Sequence, residues 1–219
     1  MHKLLLTLFG LAILGTGLFF VRNDTPPRAT PSPTASPVIS PSPSSVPTAD
    51  ATPQPTPTPT YTFPIAEFRE RATKKVVGTF VSPSNSPVQP ERFRGYHTAV
   101  DVEYGDITSD IPVMAIAAGT VVRSTVVDGY GGLVVIEHLF QKEKVYSIYG
   151  HLRPSSLIKE GPVKRGDQLG VLGTAYSAET SGERRHLHFG LLKSDSIDLR
   201  GYVQDKAELT KWLDPLTFF

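Results

Sequence analysis

His97 and Asp101, in the stretch HTAVD, and His186 and His188, in RRHLHFG, are the residues of this chain best spaced to do chemistry. In an extended strand residues i and i+2 point to the same side, so His186 and His188 stand next to one another while Leu187 and Phe189 face an apolar core. Two imidazoles crowded on one face gain little from packing and invite a shared cation. His97 and Asp101, four residues apart, share a face in either a strand or a helix, so their spacing suits chelation without settling the local structure.

The chain contains no cysteine, which removes disulfides, thiolate metal sites and a Cys nucleophile. His, Asp and Glu are then the only strong metal ligands available. A catalytic zinc takes three protein ligands of this kind and a water, lowers the pKa of that water and polarises a carbonyl. It asks for neutral imidazole and ionised carboxylate, both available near neutral pH. On residue types alone, His97, Asp101 and one of the HLH pair can bind zinc, and the remaining histidines are free for proton transfer. His138, at the end of a strand-like run, reads as structural. The histidines sit in separate motifs and not in one tract, which disfavours metal storage or sensing.

The elements that must position these side chains are short and β-rich. From Tyr61 to Phe219 the composition is that of one packed domain. Runs such as VVGTF (76–80), VMAIAAGTVV (113–122), GGLVVIEH (131–138), KVYSIYGHL (144–152) and RRHLHFGLL (184–192) are separated by turn signals such as DGYGG and KRGDQLG. Strands do not alternate with long helices, so a parallel α/β fold is disfavoured. The expectation is a mainly β, antiparallel domain of two packed sheets or a flattened barrel, with a short helix around 65–75 and a terminal helix over 207–213. Alternation along KVYSIYGHL places His151 on the same face as Tyr149 and Ser147.

Two segments precede this domain. Residues 1–24 begin with a short basic stretch and continue as an uncharged run from Leu4 to Val21. As a helix that run reaches about 27 Å, just enough to cross a hydrocarbon core. It is long for the apolar part of a signal peptide, and only Gly15 and Gly17 offer a poor cleavage site. The expectation is a retained single-pass anchor with an extracytoplasmic domain; secretion after signal cleavage is the alternative. Residues 25–60 are dominated by Pro, Ser, Thr and Ala, too poor in apolar groups to offset chain entropy, and read as a disordered linker. At about 3.1 Å per residue it spans up to roughly 100 Å. The formal net charge is +1, with Lys and Arg scattered among the acids, so no nucleic-acid footprint is visible.

HTAVD, YGHL and HLHF, in this order and with VKRGDQLGVLG between the second and third, closely resemble the lysostaphin-type (glycyl-glycine endopeptidase) zinc metallopeptidases of bacterial cell walls. The resemblance runs from about Phe93 to Phe189 and takes in DIPVMAIAAGTVV, GYGGLVVIEH and, beyond it, the DP of WLDP. It implies a duplicated-hybrid-motif-like fold, one Zn2+ bound by His97, Asp101 and His188, and His151 and His186 as catalytic histidines that do not bind metal. It implies peptidoglycan peptides as partners; the expected tie to a membrane is the N-terminal run, read as a helix. A non-hydrolytic wall-binding or regulatory domain of the same fold is the alternative. The GDQLGVLG turn also resembles that of lipoyl and biotinyl carrier domains, as shared β architecture. Three features depart from the family pattern: Ala99 stands where glycine is common, AYSAETSGERR is long and charged before HLHF, and Arg184 and Arg185 flank the site. These arginines either meet a substrate carboxylate or are solvated basic residues.

Overall fold

The hairpin at the centre of the domain follows directly from its sequence. β-Branched and aromatic residues fill both arms, and Gln141 and Lys142 at its tip both take positive φ, of 50° and 69°, as a two-residue turn matched to strand twist requires. The computed structural model describes residues 61–219. Its strands are β1 (Phe80–Val81), β2 (Gly95–His97), β3 (Val100–Glu103), β4 (Pro112–Met114), β5 (Gly119–Val127), β6 (Gly131–Phe140), β7 (Glu143–Leu152), β8 (Gly161–Val163), β9 (Gln168–Val171), β10 (His186–Lys193), β11 (Tyr202–Val203) and β12 (Trp212–Leu213).

A seven-stranded sheet runs β12-β10-β7-β6-β5-β8, with β3 also paired to β10; a three-stranded sheet, β1-β2-β11, and a two-stranded one, β4-β9, complete the pattern. Every pairing is antiparallel. The large sheet is covered on both faces, so β6 reads as an apolar run and not as an alternation. Val134 and Ile136 enter one core with Tyr149, Leu187 and Phe189, while Leu133 and Val135 enter a second with Tyr130, Ile148, Leu192 and Trp212. The mainly β, antiparallel expectation therefore holds, with three sheets among the described residues.

Two local expectations fail. Residues 65–75 form turns and no helix: Glu67 has φ 51°, and Ile65 and Phe68 are both buried in the first core. Tertiary bonds, Thr62 N to Ile116 O and Met114 N to Pro64 O, hold that segment flat on the domain. The 207–213 segment is a 3-10 helix only to Lys211, capped by Asp205. Trp212 and Leu213 then become β12, pairing with Leu192 and Leu191, because the indole is buried in the second core. VMAIAAGTVV is cut into β4 and β5 by a bend. The expected membrane segment and linker lie outside the described residues, among which no helix is long and apolar enough to cross a membrane.

Candidate metal centre

β10 carries the centre because its two edges are used differently. Its first half pairs with β3 on one side, placing His188 opposite Asp101 and His186 opposite Glu103. On its other side it pairs with β7, placing His188 opposite Gly150. Directly opposed residues share a face, so register alone brings Asp101 to His188. His97 arrives from the small sheet at the end of β2, held by Gly78 N to His97 O and His97 N to Thr79 O. Asp101 is fixed in turn by its N–H to the Lys75 carbonyl.

Three donor atoms meet there. His97 Nε2 lies 3.3 Å and His188 Nδ1 3.2 Å from Asp101 Oδ1, and the two nitrogens are 3.3 Å apart. Ligand bonds of about 2.0–2.2 Å around a tetrahedral ion separate neighbouring donors by about 3.3–3.6 Å, so the triangle has the right size for zinc. Asp101 Oδ1 is moreover buried with no aligned hydrogen-bond donor. An anionic oxygen left so is costly, and a cation between the three atoms removes the cost. The residues present thus fit a metal ion, as a His/Asp/His group.

Two further imidazoles face the same point. His186 Nδ1 lies 2.9 Å from the Arg184 carbonyl, which can only accept, so Nδ1 carries the proton and Nε2 presents its lone pair, 3.5 Å from Asp101 Oδ2. His151 reaches the site against the expected alternation. It sits at a register shift between β6 and β7 with φ 66°, its N–H donating to Tyr130 O and its carbonyl accepting from Gly173 N. A bulge of this kind re-aims a side chain at a cost of about 1–3 kcal/mol. Tyr149 and Ser147 therefore point to the opposite side of the sheet, and the His151 ring packs 4.4 Å from that of His186. The parity expectation for His151 is corrected, while its grouping with His186 and His188 is what the structure has.

The electrostatics favour ligand forms. Burial pushes Asp101 up, but the imidazoles of His97, His186 and His188 beside it outweigh that and hold the carboxyl well below its usual range. Burial lowers His151 to about 3, helped by the neighbouring His188. It also lowers His188, and His186 well below the ordinary imidazole value. The three rings are neutral at pH 7.

Residues 95–199 match the family model for peptidase family M23, a span that holds all five of these side chains. This part of the chain is similar to peptidase family M23. Among solved structures, it is similar to the antimicrobial peptidase lysostaphin from Staphylococcus simulans, at 22% identity over 72% of this chain and 53% of that one, TM-score 0.45. It is also similar to Csd3 from Helicobacter pylori, at 25% identity over 66% and 35%, TM-score 0.41. A zinc-containing peptidase from Vibrio cholerae matches at 23% identity over 60% and 36%, TM-score 0.39. The chain therefore spans about half or less of the length of these proteins. No curated protein matches the sequence.

The site opens into a cleft of about 330 Å³ lined by His151, His186, His188, Tyr130, Tyr202 and Arg94, among others. Tyr130 roofs the centre edge-on to His188, with ring centroids 5.2 Å apart, and its hydroxyl donates to Leu199 O. Gly150 makes this possible, since a Cβ there would lie 2.5 Å from the Tyr130 ring. Tyr202, opposite His97 in register, accepts from Lys75 Nζ at 2.9 Å, and Lys75 is paired with Glu91 at 2.6 Å in full burial. Sequence reasoning missed Tyr130, Tyr202, Lys75 and Glu91; the only local signal was the GYGG run around Tyr130.

Both readings of the flanking arginines are corrected. Arg184 and Arg185 are buried, neither solvated nor free for a substrate carboxylate. Arg185 donates to the carbonyls of Ile107 and Ser109, and Arg184 is paired with Asp101 and Glu103. His138 is structural: Nδ1 donates to Ala118 O at 2.9 Å and Nε2 accepts from Ser147 Oγ at 2.7 Å. Its partner in register is Val145, which puts it on the sheet face away from His188.

Proposed function

We propose that this chain is a zinc-dependent endopeptidase that hydrolyses peptide bonds in the cross-links or stem peptides of peptidoglycan. The observation that carries the reading is the triangle of His97 Nε2, Asp101 Oδ1 and His188 Nδ1 around an orphaned carboxylate oxygen, beside two neutral imidazoles in one cleft. The match of residues 95–199 to peptidase family M23 supports the reaction class, and the resemblance of HTAVD, YGHL and HLHF to the lysostaphin-type enzymes of bacterial cell walls supports the wall as substrate.

His97, Asp101 and His188 would hold one zinc ion, which when bound supplies a Lewis acid and an acidified water. The chain's own residues provide the rest. His186 Nε2, its tautomer set by the Arg184 carbonyl, accepts a proton from the nucleophile. His151, in ring contact with His186, lies where a second imidazole can steady the charge that develops on the scissile carbonyl. Tyr130 excludes water from one side and spends its hydroxyl on Leu199. Export behind an N-terminal anchor, with residues 25–60 as a spacer, belongs to the same proposal and rests on the sequence alone.

The test uses the full chain with purified sacculi, with and without chelator, the released fragments being identified by mass spectrometry. Chelator-sensitive release of peptides, lost in His186→Ala, is the expected result. Zinc bound at full occupancy with no cleavage of any wall chemistry would instead favour the regulatory alternative.

A further inference from the structure

The arginine that precedes HLHF is unexplained by the reaction, yet it is built into the centre. Arg184 Nη2 donates to Asp101 Oδ2 at 2.7 Å, while Nε and Nη2 together grip Glu103, at 3.0 Å to Oε2 and 2.7 Å to Oε1. All three side chains are largely withdrawn from solvent, at 8%, 2% and 14% exposure. Glu103 stands opposite His186 on β3 and Asp101 opposite His188, so the two carboxylates line one edge of β10 and a single guanidinium spans them. The planar fork of an arginine suits such a bridge, which an ammonium could fill only as a point charge.

A carboxylate has two oxygens and can meet a metal through one or both. In this chain the two are sorted: Oδ2 is taken by Arg184, and Oδ1, with no aligned donor, faces the imidazole nitrogens. We propose that Arg184, braced by Glu103, is a positioning residue that keeps Asp101 a one-oxygen ligand, so that the metal retains an open position for water and substrate. A catalytic zinc needs that open position, whereas a second carboxylate oxygen would fill it. Partners outside the ligand shell orient ligands and tune the metal in this way. The inference rests on the metal reading above, and the experiment separates the two.

The full chain is loaded with Co2+ and its visible spectrum recorded for the wild type, Arg184→Met, Arg184→Lys and Glu103→Gln. The wild type is expected to show the intense bands of a four-coordinate ion. In Arg184→Met the carboxylate is released to bind through both oxygens, and the bands are expected to lose most of their intensity. Arg184→Lys restores a donor to Oδ2 and should recover them in large part, and Glu103→Gln, which loosens the brace alone, should give a smaller loss. If Arg184→Met does not fold, the other two variants carry the test. A wild type that takes up no Co2+ or Zn2+ overturns the metal reading itself. A wild type with a four-coordinate spectrum that every folded variant reproduces overturns only the role of Arg184.

Discussion

His138 and His151 stand on adjacent strands of one sheet and have opposite fates. His138, on one face, spends both ring nitrogens, one on a carbonyl and one on a serine hydroxyl. On the other face His151 leaves Nδ1 without a partner, as His97 does, and Asp101 leaves Oδ1. Folding satisfies most buried polar atoms. Three of the five left unpaired among the described residues belong to this cluster, the others being Arg185 Nε and Trp212 Nε1, and that concentration marks the face on which something else must bind, so the contrast separates a packing histidine from a chemical one without reference to any relative.

The largest effects should break this contrast at the centre itself. His188→Ala removes one corner of the donor triangle and is expected to abolish zinc retention and wall hydrolysis together, as read by metal analysis and peptide release. His151→Ala leaves all three donors in place. It should keep its zinc and lose about 10²–10⁴ in turnover, the usual contribution of a positioned acid or base. Loss of metal in His151→Ala would place that ring among the ligands and erase the distinction.

An intermediate effect concerns the buried charge on the site face. Lys75 and Glu91 are paired at 2.6 Å with side chains at 2% and 3% exposure. Lys75→Met strands the Glu91 carboxylate and should cost about 3–5 kcal/mol, measured by urea unfolding of the metal-free protein. The Lys75→Met, Glu91→Gln double variant should recover part of that loss. A single variant as stable as the wild type would show that this pair is solvated in solution.

What the sequence disclosed follows from what each feature depends on. His186 with His188, and Leu187 with Phe189, obey simple alternation, and the His97 to Asp101 spacing needs no fold to be read. His151 escaped alternation because its strand bulges at that residue, a tertiary accommodation of Tyr130 and Gly173 that no period in KVYSIYGHL announces. Arg184 looked like a surface arginine because its partner, Glu103, becomes its neighbour only once β3 is laid against β10. Trp212 looked helical for a similar reason, since its local context favours a helix and its burial against β10 favours a strand. Local propensity yields where an aromatic residue can complete a core.

The smallest effect sharpens the comparison from the side of His138. Burial lowers its pKa from the ordinary 6.5, against the raising effect of the Ala118 carbonyl. With the folded value below the unfolded one, the unfolded chain takes up the proton first as pH falls. His138 thus carries no pH-linked loss above the unfolded value and a growing one below it, of at most about 1.4 kcal/mol per pH unit. His138→Gln removes this titration and leaves the opposite face untouched. In the metal-free protein it should make the decline of the urea midpoint between neutral pH and about pH 5 shallower, with hydrolysis by the zinc-loaded protein at neutral pH unchanged. A decline as steep as in the wild type would assign the acid sensitivity to the site face, where burial holds His151 at about 3, and would make the two histidines differ in stability as well as in chemistry.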